Sequence, residues 1–369
     1  MDRRHFFKIS ATGLAGLAFA DRFNIVEACN RKGKDSSYSL VILGDTHYDK
    51  APVELYHTDY SDPKPSREAN HRKEIQRNIE MWADRCPKML KRAGCLVDDS
   101  TKMCLQMGDM IQGDTGNYES HVRFLDDTFN MLKDALGPLP FITVAGNHDL
   151  RAADDNVAKR AYDDYMPARI SKELGQEVTK TTFAFWIGPD AYIVIDFSRP
   201  DDEEIEKLLN ETKKARYTFI ISHGPLFPFD SSKYYYWFLY GKKPEQRLRF
   251  RKLFAQRNVI SLCGHSHFTD FVDWYGDGGR ITQLHMNSVW AKEEYAEYKE
   301  LASTPEEYGN LRAMQPEAQA LFDEVRPGLK AYSTSDAAGS YKLKVSDEGV
   351  YVDFYAGDST RVSKTFKLR

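Results

Sequence analysis

The chain of 369 residues is 41% hydrophobic and 29% charged, so it can bury a sizeable core as one large domain or two ordinary ones. A formal net charge of only −4, with no polybasic tract, argues against a global field that would gather nucleic acid or an anionic membrane. Five cysteines, an odd number without dense spacing, exclude a fold defined by disulfides.

The amino terminus reads as an address, not as fold. "DRRHFFKIS" places Arg3 and Arg4 before two phenylalanines and a lysine, and the short apolar run "ATGLAGLAFA" follows. That run is too short to span a bilayer, Ala18-Phe19-Ala20 suits an A-x-A cleavage site, and the whole resembles a twin-arginine export signal. Residues 1–34 are therefore expected to be signal and linker, with 35–369 as the folded domain of an exported, periplasmic or extracellular protein without a transmembrane span. Cys29 stands where a lipid could be attached, although Glu27 and Asp21 are poor neighbours for that chemistry.

Five segments then share one pattern, a short apolar strand ending in a Gly-containing turn rich in ligand-type side chains. The first, "YSLVILGDTH", ends on Asp45 and His47, which an extended chain would point to one side. After the loop of residues 48–68 comes a helical stretch of about 72–92, in which Cys86 lies close enough to Cys95 in sequence to pair with it. "KMCLQMGDM" delivers Asp109, and "GNYESH" and a helix over 118–136 follow. "LPFITVAGNHD" delivers Asn147 and His148, with Arg151 just beyond. The alternating "TFAFWIGPDAYIVIDF" predicts a hairpin turning at Gly188 to Asp190, before a helix over 201–215. "YTFIISHGP" carries His223; the aromatic run Tyr234 to Phe238 and a helix over 245–256 lead to "VISLCGHSH" with His265 and His267. A polar helical insert over about 291–330 precedes a second hairpin, "SYKLKVSDEGVYVDFY". Cys104 and Cys263, inside strand-like runs, read as small core residues.

Strands alternating with helices and flanked by hairpins make an α/β core with mixed sheets. Ligands in open α/β sheets gather beyond the carboxyl ends of strands, where all these side chains fall. Histidine, aspartate and one Asn amide oxygen suit divalent transition ions, and seven donors sharing a carboxylate can hold two of them. Gly44, Gly108, Gly146 and Gly264 precede the ligands where the backbone must turn sharply.

The order Asp-x-His, Gly-Asp, Gly-Asn-His-Asp, His, Gly-His-x-His, over about Leu40 to Thr269, resembles the calcineurin-like metallophosphoesterases. The resemblance implies a four-layer α/β/β/α sandwich of two mixed sheets with a dinuclear centre in its upper cleft. It gives one ion to Asp45, His47 and His267, the other to Asn147, His223 and His265, with Asp109 bridging. His148 takes the place of the catalytic histidine, set over the phosphate to stabilise charge and assist the leaving oxygen. In "GDMIQGD", Gln112 and Gly113 stand where protein phosphatases of this fold have Asp-Arg, so the carboxylate expected to orient His148 is missing and Asp149 or Asp114 is the candidate replacement.

The chemistry implied is phosphoester hydrolysis, in which two divalent ions (Mn, Fe or Zn) lower the pKa of a shared water and neutralise phosphate oxygens. A small phosphate ester or nucleotide fits best, recognised by the segments between ligand turns, Arg151 included. The rivals are a nuclease or cyclic phosphodiesterase of the same fold, weakened by the lack of a basic stripe, and a noncatalytic binding protein, weakened by the complete ligand set. Nothing in the sequence sets an oligomeric state.

Overall fold

The computed structural model describes residues 36–228, 244–289, 297–310 and 314–369. Arg3 and Arg4 of the expected export signal, Cys29 and the aromatic run at 234–238 lie outside them.

The first sheet grows around β1 (Tyr38–Leu43), six residues buried along their whole length, as a strand covered on both faces requires. It pairs in parallel with β2 (Thr101–Gln106), which pairs in parallel with β3 (Phe141–Thr143). On its other side the sheet continues antiparallel, from the last predicted hairpin, through Gly339–Ser346, Gly349–Ala356 and Lys364–Lys367. The chain threads four helices beside this sheet between its parallel strands and after them: α1 (Glu54–His57), α2 (Pro65–Asp84), α3 (Cys86–Gly94) and α4 (Tyr118–Leu136), with α5 (Asp155–Leu174) packing on β3. In α4 the buried residues His121, Phe124, Leu125, Thr128, Phe129, Leu132 and Leu136 repeat at helical spacing, Asn117 caps the first turn by accepting from Ser120 N at 2.9 Å, and Gly137 ends it at φ +95°.

The second sheet has seven strands. β4 (Phe183–Ile187) and β5 (Asp190–Ile195) form the first predicted hairpin, and β6 (Thr218–Ser222) and β7 (Ile260–Cys263) run parallel to β5. β8 (Thr269–Gly276), β9 (Gly279–His285) and β10 (Leu329–Ser335) complete it, with β9 parallel to β7 and β8 antiparallel to both neighbours. Alternation along β5 and β6 sorts the core. Tyr192, Val194, Phe219 and Ile221 face the apolar layer between the sheets, whereas Ile193, Ile195 and Ile220 face an outer layer with Ile205, Phe250, Phe254 and Phe322. That outer layer is covered by α6 (Asp202–Glu211), α7 (Pro244–Gln256) and α8 (Pro316–Val325). Helices, sheet, sheet and helices are the four expected layers.

Several expectations change. The helix read over 72–92 starts earlier and is two helices, because Pro87 at the head of α3 has no N–H to carry the hydrogen-bond ladder across Arg85. Helix α5 and the β8–β9 hairpin were not read from the sequence. The insert at 291–330 is helical only in part, holding α8 and two short 3₁₀ turns among the described residues, and its end already belongs to β10. Cys86 is buried and Cys95 exposed, both as free thiols, so the pairing does not form.

Candidate metal centre

Each of the five strands β1, β2, β3, β6 and β7 ends one to four residues before a candidate ligand, and the five turns converge at one edge of the sandwich. The first turn does not work by strand alternation, however. The strand stops at Leu43, and His47 turns back at φ +39°. Asp109, His265 and His267 also take positive φ, at +51°, +84° and +56°. Gly44 and Gly146 are needed for another reason, since a Cβ would lie 1.9 Å from Asn287 O and 2.0 Å from Asp109 N.

Three groups of donors result: Asp45 with His47 and His267; His47 with Asp109 and His148; and Asp109 with His223 and His265. His267 Nε2 lies 3.1 Å from Asp45 Oδ2 and 3.1 Å from His47 Nε2. Asp109 Oδ2 lies 3.6 Å from His47 Nε2 and 3.1 Å from His223 Nε2, which is itself 3.1 Å from His265 Nδ1. His223 donates Nδ1–H to Met107 O at 2.7 Å, which fixes its tautomer and turns Nε2 inward. Asn147 Oδ1 is buried with no hydrogen-bond partner among the described residues. Packed imidazole nitrogens, two carboxylates and an orphaned amide oxygen on Asn147 suit hard-to-borderline cations.

The charges agree with this crowding. Burial, then the neighbouring His148, push His47 well below its ordinary range; burial and His223 do the same to His265. Burial opposes a charged His223, but Asp109 and Asp45 outweigh it and raise the pKa to about 9. Asp109 is held well below the carboxylate range, since His223 and His148 overcome its burial.

His148 shares a donor group with His47 and Asp109, its ring edge-on to His47 at 4.3 Å. Its Nδ1 donates to the main-chain carbonyl of Gln112 at 2.9 Å. Neither expected carboxylate orients it. Asp149 instead accepts from Met110 N, Ile111 N and Gly146 N at 2.9, 3.1 and 3.0 Å, clamping two turns together, with its pKa raised to about 7 by burial and Asp109. Asp114 pairs with Arg151 at 2.7 Å, and Arg151 also meets Glu74 at 3.1 Å, so its guanidinium is not a free phosphate clamp. His121, from the second inter-turn segment, is fully buried, with both ring nitrogens engaged by Thr115 Oγ1 and Asp149 O.

Three supports had no distinct signal in the sequence. Gln106 ties three turns together through Gly44 O, both polar main-chain atoms of Gly108 and the Thr143 hydroxyl. Phe197 packs against His223 and His265, with ring centroids 5.4 and 5.2 Å away. Asp196 holds that loop through Ser198 N, Arg199 N and Thr181 Oγ1.

A two-sheet α/β sandwich with a His/Asp cluster at its rim defines a metal-dependent phosphoesterase, and residues 38–268 match the family described as calcineurin-like phosphoesterase. The match covers more than half of the chain, which belongs to that family. No curated protein matches the sequence. Among solved structures it is similar to a purple acid phosphatase from yellow lupin (Lupinus luteus) seeds, at 14% identity and TM-score 0.53 over 90% of this chain and 53% of that one. It is also similar to PhoD, at 10% identity and TM-score 0.52 over 90% of this chain and 68% of that one. The chain spans about half the length of the lupin phosphatase, and likeness at such identity speaks for the fold alone. No helix among the described residues is long and apolar enough to cross a membrane.

Proposed function

We propose that this protein is an exported, dinuclear metal-dependent hydrolase of small phosphate esters, nucleotides included. One observation carries the reading: Asp109 Oδ2 stands between His47 Nε2 at 3.6 Å and His223 Nε2 at 3.1 Å, where one carboxylate can serve two ions. Asp45, His47 and His267 would hold one divalent transition ion, and Asn147, His223 and His265 the other. Bound there, Mn, Fe or Zn ions supply positive charge that neutralises phosphate oxygens and acidifies a water.

The chain's own contribution is order and one proton. With Nδ1–H committed to Gln112 O, His148 has only Nε2 to offer a substrate. Burial and Arg151 lower its pKa, so a proton on Nε2 is readily passed to the departing oxygen. Elemental analysis of the purified protein should give two transition ions per chain, and a panel of phosphomonoesters, diesters, nucleotides and pyrophosphates assayed with added Mn should show hydrolysis. Fewer than one ion per chain after supplying Mn or Fe sinks the dinuclear reading. His148→Ala should keep both ions and lose about 10²–10⁴-fold in turnover, more on an alkyl than on a nitrophenyl phosphate, whose leaving group needs no proton. Export is tested by replacing Arg3 and Arg4 with lysine, which should retain the protein in the cytoplasm.

A further inference from the structure

Beside the donor cluster lies a second group of polar side chains that neither holds an ion nor passes a proton in that reaction. Asp114, fully buried, is its hub. Its carboxylate meets Arg151 Nη2 at 2.7 Å, His71 Nδ1 at 3.1 Å and Gln112 Nε2 at 3.3 Å, and its main-chain carbonyl accepts from His57 Nδ1 at 2.9 Å. His57 Nε2 in turn meets Asp49 at 2.8 Å, and Asn78 donates to the Gln112 amide oxygen. These groups pair mainly with one another, and none of them is in a convergent metal-type group among the described residues. That is the pattern of a brace, not of a ligand site.

What the brace holds is the Gln112 carbonyl. Gly113 sits at φ +75°, and a Cβ there would lie 2.3 Å from His148 O and 2.8 Å from Arg151 O. Main chain therefore packs directly on main chain, and Asp114 N donates to Arg151 O at 3.0 Å while Arg151 N donates to His148 O at 3.2 Å. We infer that Gly113 and the Asp114–Arg151 pair are positioning elements that press the Gln112 main-chain carbonyl onto His148 Nδ1, fixing the ring's tautomer and direction in place of a side-chain carboxylate. The inference rests on His148 acting on the phosphate.

The test is a pair of double-mutant cycles on the metal-loaded protein. Gly113→Ala, with the milder Asp114→Asn in case the first does not fold, should keep both ions and leave KM within about twofold. Turnover should fall about 10–10²-fold, the scale of a small misplacement of a reacting group. In a His148→Ala background neither change should matter further, because the group being positioned is gone. Losses that add in full in that background, or a normal turnover for both variants while His148→Ala is impaired, overturn the positioning role alone. Full turnover of His148→Ala removes the reading beneath it as well.

Discussion

The first sheet brings Asp45, His47, Asp109, Asn147 and His148 to the rim, both carboxylates among them, while the second brings only histidines, His223, His265 and His267. Their support differs as much as their chemistry. Turns of the first sheet are laced to one another by Gln106 and Asp149. Those of the second lean outward on the first: His223 donates to Met107 O, and His265 N donates to Asp45 at 3.0 Å. Phe197 covers the remaining side of these two imidazoles. One rim is thus a hydrogen-bonded template, and the other is positioned against it. Damage to the template should spread, and damage to the leaning rim should stay local.

Asp109→Asn breaks the comparison most severely. Its carboxylate touches both rims, so activity should drop to background and metal content should fall from two ions per chain to below one, whereas His267→Ala should retain an ion held by the other side. Elemental analysis and turnover measured together check this; near-normal turnover of the Asp109 variant would make the bridging role wrong.

Next come the supports. Asp149→Ala leaves three buried N–H groups without an acceptor and should cost about 3 kcal/mol or more. Phe197→Ala removes a half-buried ring and should cost about 1–2 kcal/mol, with its effect on metal confined to one ion. Urea unfolding with metal titration compares them, and equal costs would erase the distinction between the rims.

Acid gives a subtler contrast. His121 braces the first rim through Asp149 O, and burial lowers its pKa to about 4. Its ordinary value in the unfolded chain is about 6.5. The unfolded state therefore binds the proton first as pH falls. Stability from this residue is complete above about pH 6.5 and is lost as pH drops toward 4. His121→Gln should flatten that part of the stability profile relative to the parent, and an unchanged slope would show that His121 is not the group responsible.

Much of this was legible because the five strand-to-turn signals are local. An apolar run followed by Gly and a ligand needs no knowledge of the rest of the chain, so Asp45, His47, Asp109, His148, His223, His265 and His267, which the fold gathers into convergent groups, could each be picked out locally. What escaped was main-chain or long-range. The carbonyl orienting His148 has no residue type of its own, and Asp149 and Asp114 look alike in sequence although one clamps N–H groups and the other an arginine. Phe197 closes a hairpin motif and meets His223 only through the fold. Helix α5 was hidden because Pro167 interrupts its helical pattern.

The four left-handed residues of the rim, His47, Asp109, His265 and His267, have a consequence for how such a chain tolerates change. An L side chain in that conformation costs about 1–2 kcal/mol, a penalty glycine escapes. As far as folding alone is concerned, each is the wrong residue for its position. With metal stripped from both proteins, His267→Gly should therefore be about 0.5–1 kcal/mol more stable than the parent in urea unfolding, while losing its chemistry. A library selected only for thermostability would drift toward glycine at these positions, and one selected for turnover would keep the less stable side chains.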